Sequence, residues 1–320
     1  MRAVSRRVLV RRLGTAAWVV LFAVVAGASR SSQRPLHVRL TPFDVAAGTD
    51  RIPCEYLPLP NEEAVDVQRI EVRSHAHLHH ILVYGYLGDD RNPRYFTHGL
   101  GAVDGCVDVG PPDLASHTLG LLGSVRQGDY DLPAGYAVTL LPHQPVQVQT
   151  HVFNPSRRRR RAVVRLRFVP ADTGAVRHHL EPIDVTTATL ELPPHTEITQ
   201  VADFVAPFDM NVDMLSSHQH RRGTHVTVHP IVDGVDQGQA YENVRWNEPP
   251  LHWVDPPLRL RAGDRLRVGC TWNNTTDETV HYGPSANDEM CNLNGYFHRD
   301  VDLPASARTG VGGTLVPVVE

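Results

Sequence analysis

Two short stretches carry the residues best suited to chemistry: Ser216-Ser217-His218-Gln219-His220, and Asn287-Asp288-Glu289-Met290-Cys291-Asn292 further along the chain. Successive side chains of an extended strand point to opposite faces, so His218 and His220 project from the same face and can direct two imidazoles at one ion. Two imidazoles alone would serve zinc, nickel or copper. A thioether is a soft donor that binds hard and borderline ions poorly, so adding Met290 shifts the preference to Cu(I). No Glu or Asp accompanies the His pair in a recognised zinc-hydrolase pattern, which argues against a zinc hydrolase.

A second histidine-rich stretch, Ser74-His75-Ala76-His77-Leu78-His79-His80, runs into the apolar Ile81-Leu82-Val83-Tyr84. Strand alternation pairs His75 with His77, or His77 with His79. The adjacent His79 and His80 point apart unless the backbone bulges. Later, Val146, Val148 and Thr150 alternate with Gln147, Gln149 and His151, placing His151 beside Gln149 on the polar face of a strand. His225 and His229 share a face with Thr227, as exposed strand polars or as residues that orient ligands from behind. His281 has no role that its spacing reveals.

The elements that must position these residues are strands. No segment beyond the N-terminus sustains a 3.6-residue apolar repeat, whereas short alternating runs recur between turn residues. With 25 prolines and 24 glycines breaking them, these runs predict an all-β chain of two tandem antiparallel β-sandwich, jelly-roll-like domains. Leu258-Arg259-Leu260-Arg261, Ala262-Gly263-Asp264 and Arg265-Leu266-Arg267-Val268 read as a hairpin with leucines and valine inward, arginines outward and Gly263 at the turn. The domain boundary is expected near Pro170–Gly174. No internal repeat of motif is visible.

The N-terminus reads as an export signal. Arg2, Arg6, Arg7, Arg11 and Arg12 precede an apolar run from Leu13 to Val25 and a small-residue cleavage site at Ala26-Gly27-Ala28. Residues 1–28 are therefore expected to be removed near Ala28, leaving an exported chain without stable membrane insertion. Loss of those five arginines takes the formal net charge from −4 to −9. An acidic mature chain excludes a nucleic-acid partner on electrostatic grounds, and the basic block Arg157–Arg161 reads as a solvated loop. Four cysteines, Cys54, Cys106, Cys270 and Cys291, in an exported chain predict two disulfides, with three connectivities open.

The string Asp288-Glu289-Met290-Cys291-Asn292-Leu293, preceded by Gly283 and Ser285, resembles the methionine segment of the ascorbate-dependent type II copper monooxygenases, among them peptidylglycine alpha-hydroxylating monooxygenase and dopamine beta-monooxygenase. His218-Gln219-His220 resembles the family's His-x-His motif, and His79-His80 with Gln149-Thr150-His151 its other copper site. The resemblance implies two separate mononuclear coppers, with ascorbate as reductant and O2 as cosubstrate. His79, His80 and His151 would hold the electron-supplying copper in a domain over residues 29–171, with Gln149 beside them. His218, His220 and Met290 would hold the oxygen-activating copper over residues 172–306, and residues 307–320 would form a tail. It also implies Cys54–Cys106 and Cys270–Cys291 as the bridges, and Ser216, Asn292 and Asn294 as substrate-facing positions.

The chain departs from the peptide-amidating enzymes at two of those positions. Ser216 stands where they place an arginine that holds the peptide's terminal carboxylate, and Asn294 where they use a tyrosine. The expected activity is therefore hydroxylation of a C–H bond in a small-molecule or peptide-like substrate other than a C-terminal glycine peptide. The competing expectation, prompted by the missing clamp, is a non-catalytic exported copper-binding or storage protein.

Overall fold

The computed structural model describes residues 33–75, 77–86, 101–104, 118–121, 128–187, 189–283, 287–308 and 310–318; at 50, 77, 79, 80, 82, 86, 101–104 and 118–121 only the backbone is described. The expected signal segment and Cys106 lie outside these residues. Among them the chain is all-β and built almost wholly from antiparallel sheets, with one 3-10 turn at Ala305–Ala307 and no α-helix. No helix among them is long and apolar enough to cross a membrane.

Two sheets enclose the N-terminal core. In one, Val65–Ser74 pairs with Val164–Pro170 and with Tyr136–Leu140; in the other, Pro145–Phe153 lies between Pro53–Pro58 and His77–Tyr86. The period-two pattern decides which residues meet between them: Val65, Val67 and Val72 from the first sheet and Ile81, Val83, Val146, Val148 and Val152 from the second are all buried in one cluster. Each such side chain contributes roughly 1.5–3 kcal/mol on burial.

A second core lies between two further sheets. Met210–His218 and Asn292–His298 are neighbours in one, flanked by His252–Leu260 and Glu181–Thr186. Arg265–Asn274 sits between Thr196–Val205 and Gly223–Val232 in the other. Trp272, Phe297, Leu215, Leu266 and Val268 fill the space between. The expected hairpin across Gly263 is corrected here. Leu260, Leu266 and Val268 are buried as the alternation requires, but His252–Leu260 and Arg265–Asn274 pair with different strands in different sheets. Gly263, at φ 93°, turns the chain from one sheet into the other. Alternation reports which face is buried and says nothing of which strand lies beside it.

The two halves share a turn that the sequence reading missed. Asn154 Nδ2 donates to the carbonyls of Val45, Ala46 and Arg158 while its Oδ1 accepts from Ser156. Asn274 does the same with Leu192, Pro193, Glu278 and Thr276. Each buried amide satisfies backbone groups at the end of a central strand.

One face of the Met210–His218 and Asn292–His298 pair turns toward the N-terminal half. The register shift between Val212 and Met214 leaves Asp213 as an extra, bulged residue. Beyond it Met214 lies opposite Tyr296, and both belong to the N-terminal core, with Trp253 packed against it. Below them, His298 Nδ1 lies 2.8 Å from Asp213 Oδ2, and its ring is 4.1 Å from that of His178.

Nearby, a ring of polar groups ties the halves together. His179 places Nδ1 2.9 Å from Asp302 and Nε2 3.3 Å from Asp66, Thr139 donates to Asp66, and Arg308 donates to both Thr139 and Asp302. Both imidazole nitrogens face carboxylates, so the imidazolium, which donates from both, is the favoured form. The Asp66 hydrogen bond accordingly raises the His179 pKa above its ordinary value, although burial opposes the shift. A raised folded pKa gives stability that is complete below about pH 6.5 and lost as pH climbs through the folded value. His179→Asn is expected to cost about 1 kcal/mol at pH 6 and less at pH 9, read from melting curves of both proteins.

Candidate metal centres

His218 ends its strand, and the alternation holds through the following residues. Ser217 and Gln219 are 2% exposed and turn inward, while His218 and His220 are half-buried with ring centroids 5.1 Å apart. The inward residues are anchored: Ser217 Oγ meets Tyr241 Oη at 3.1 Å and Asn243 Nδ2 at 3.0 Å, and Gln219 Nε2 donates to the Thr271 carbonyl at 3.1 Å. Gly223 lies so close to Gln219 that a Cβ there would stand 2.5 Å from it.

The methionine segment reaches the same place through strand pairing. Ser216 lies opposite Asn294, and His218 opposite Asn292. Continued two residues past the last paired positions, His218 and Asn292, that antiparallel register would bring Met290 opposite His220. The two segments are also bonded directly: His220 Nδ1 lies 2.9 Å from the carbonyl oxygen of Asp288. A carbonyl only accepts, so Nδ1 carries the proton and the Nε2 lone pair is left for an ion. Burial, reinforced by the neighbouring His220, pushes the His218 pKa down to about 3, so its imidazole is neutral and able to donate at neutral pH. Cys270 and Cys291 form a disulfide with Cα atoms 6.2 Å apart, fixing the residue after Met290 to the opposite sheet.

These donors fit copper. Two imidazoles together with a thioether would form a soft, nitrogen-rich set suited to Cu(I), with no hard oxygen ligand. Among the described residues no group of three or more His, Cys, Asp and Glu side chains is placed to hold a metal; the third donor expected from the sequence, Met290, is a sulfur ether and falls outside that set.

In the N-terminal half, His151 lies directly opposite His80 on adjacent strands. The register then shifts, so that Val152 faces Leu78 and His79 is the extra residue of a β-bulge. A bulge is the device that lets neighbouring residues of one strand be re-aimed together, the condition that His79 and His80 required. The side chains of His77, His79 and His80 lie outside the described residues. His151 and Gln149 are half-buried, and His75 is exposed. Cys54 is disulfide-bonded.

The other singled-out histidines sit elsewhere. His225 Nε2 lies 2.8 Å from a Glu242 carboxylate oxygen and His229 Nδ1 3.2 Å from Asp236, both in partly exposed hydrogen bonds. His281 contributes its backbone carbonyl, which accepts the Glu289 N–H at 3.1 Å.

Several residues of the site carried no signal in the sequence. Asp184 and Thr186 belong to Glu181–Thr186, the strand on the far side of Asn292–His298. Register aligns Asp184 with Asn294 and Ser216, and Thr186 with Asn292 and His218, all on one face. Asn294 Nδ2 donates to Asp184 Oδ1 at 2.9 Å, and Thr186 Oγ1 to Asn292 Oδ1 at 2.7 Å. Burial pushes the Asp184 pKa up to about 6 against the lowering effect of the Asn294 hydrogen bond. No lone residue type marks such a row; only strand neighbourhood creates it. A pocket of about 190 Å³ lies at the other end of this face, lined by His178, His298, Arg299 and Arg308 among others.

Comparison with known proteins bears on the C-terminal half. No curated protein sequence matches the chain. Solved structures overlap it loosely: the major capsid protein P2 of bacteriophage PM2 at 13% identity and TM-score 0.33, over 83% of this chain and 99% of that one. The infectious bursal disease virus Gt strain structure follows at 13% identity and TM-score 0.19, over 91% and 78%. The family model described as copper type II ascorbate-dependent monooxygenase, C-terminal domain, matches residues 185–309, the span that holds His218, His220 and Met290. Residues 185–309 are thus similar to the C-terminal domain of the copper type II ascorbate-dependent monooxygenases.

Proposed function

We propose that the protein is an exported two-copper monooxygenase that hydroxylates a C–H bond of a small or medium organic substrate, with O2 as oxidant and ascorbate as reductant. The observation that carries this reading is the meeting of His218 and His220 with the methionine segment across one strand pair. Residues 29–171 would form the electron-supplying domain, with His79, His80 and His151 as ligands, and residues 172–306 the oxygen-activating domain. Copper bound at the two sets supplies one-electron redox chemistry and the activation of O2, each ion storing one of the two electrons needed.

The protein's own residues bind and orient. His220 keeps Nε2 available because Asp288 holds the proton on Nδ1, and His218 stays neutral because it is buried. The row Ser216, Asn294 and Asp184 would face the substrate beside the second copper. It carries a carboxyl group and no cation, so it offers a substrate carboxylate no ion-pair partner and suits a substrate that is neutral or bears a basic nitrogen.

The test is oxygen uptake by the copper-loaded protein with ascorbate, across neutral, basic and carboxylate substrates. The expected result is two copper equivalents per chain, uptake coupled to a neutral or basic substrate, and no turnover of C-terminal glycine peptides. Binding of a single equivalent would sink the two-copper reading. The absence of a guanidinium clamp at Ser216 favours a second reading, a non-catalytic copper-binding protein; two equivalents bound without substrate-coupled uptake would support that instead.

A further inference from the structure

Met290 is the weakest of the donors proposed for the second copper, and the fold grips the chain on both sides of it. On one side stands the Cys270–Cys291 bridge. On the other stands Glu289, whose side chain is fully buried yet makes no ion pair with a side chain among the described residues. Both its oxygens are spent on one turn: Oε2 accepts the backbone N–H of His220 at 2.9 Å and Oε1 that of Arg222 at 2.7 Å. Its own backbone is held as well, donating to the His281 carbonyl and accepting from Gly283 N–H at 3.2 Å. Gly283 permits this by packing against Asp288, where a Cβ would have no room.

We propose that Glu289 is a positioning residue that sets the distance between the Met290 sulfur and the His218–His220 imidazoles. The inference rests on the copper reading above. Burying a carboxylate is costly, and two charge-assisted hydrogen bonds offset that cost. A turn that needed only its N–H groups satisfied could have used a neutral acceptor or water. Here the acceptor is the neighbour of one ligand, and one of the donors is the backbone of another. The carboxylate therefore joins the two ligand segments, which are remote in sequence, into a single rigid piece. Partners that orient ligands in this way are typically worth 10–100-fold in metal affinity.

The test uses the full chain loaded with Cu(I), comparing wild type with Glu289→Gln, which keeps the shape but replaces one acceptor oxygen by an NH2 group that cannot accept. Copper X-ray absorption and Cu(I) affinity at the C-terminal set are the readouts. The expected result is a copper–sulfur signal in wild type that is weakened or lost in the variant, with affinity falling about 10–100-fold. An unchanged sulfur signal and affinity in a variant that merely melts earlier would overturn the inference and leave the copper reading standing. Absence of sulfur in wild type would overturn the copper reading itself, and this inference with it. Should the variant fail to fold, hydrogen exchange in the wild-type apoprotein decides: the His220 and Arg222 amides are expected to be strongly protected, and fast exchange at both would overturn the brace.

Discussion

Met290→Ile is expected to abolish substrate-coupled oxygen uptake while leaving intact the fold and any copper bound at the proposed N-terminal set. Isoleucine is close to methionine in volume, and Met290 is half-buried at the end of a strand pair, so the stability cost should stay below about 1.5 kcal/mol. What is lost is the sulfur lone pair, the only soft donor in the set. Removing groups that merely orient a ligand costs 10–100-fold, so loss of a ligand should reduce turnover by on the order of 100-fold or more. Copper counting on the variant, alongside oxygen uptake and a melting curve, separates the outcomes. Full activity would remove the thioether from the mechanism, whereas a collapse in melting temperature would show Met290 to be a packing residue.

Breaking the Cys270–Cys291 bridge is expected to give the largest loss of stability. The sequence separation of 21 residues closes a loop whose constraint on the unfolded chain is worth about 3 kcal/mol. Both cysteines are buried in the C-terminal core, so a Cys270→Ser/Cys291→Ser pair also leaves hydroxyls among apolar neighbours. For a domain of this size that corresponds to a melting temperature lower by roughly 10 °C, measurable by calorimetry. Because the bridge is one of the two grips on Met290, the Cu(I) affinity of the C-terminal set should fall in the same variant. A copper affinity unchanged at a temperature where the variant is folded would confine the bridge to stability.

The all-β class, the inward and outward assignment of most strand residues, and the sharing of one face by His218 and His220 were legible in the sequence. Each follows from a period-two pattern that a few consecutive residues suffice to express. The pattern failed at Gly263, where two strands alternating as expected belong to different sheets. It was also silent about Glu289, which reads as one more acid until its two oxygens are seen on the His220 turn.

The sequence by itself determined the donor types and their order along the chain, because a thioether and paired imidazoles are chemistry that needs no coordinates to recognise. Tertiary structure alone decided that the methionine segment comes to His220 rather than to some other strand, that Asp184 joins the row of Ser216 and Asn294, and that His79 is the bulged residue opposite His151 and Val152. All three are facts of register between strands distant in sequence. Register is set by the whole sheet's burial and hydrogen bonding, and no local run of residues encodes it.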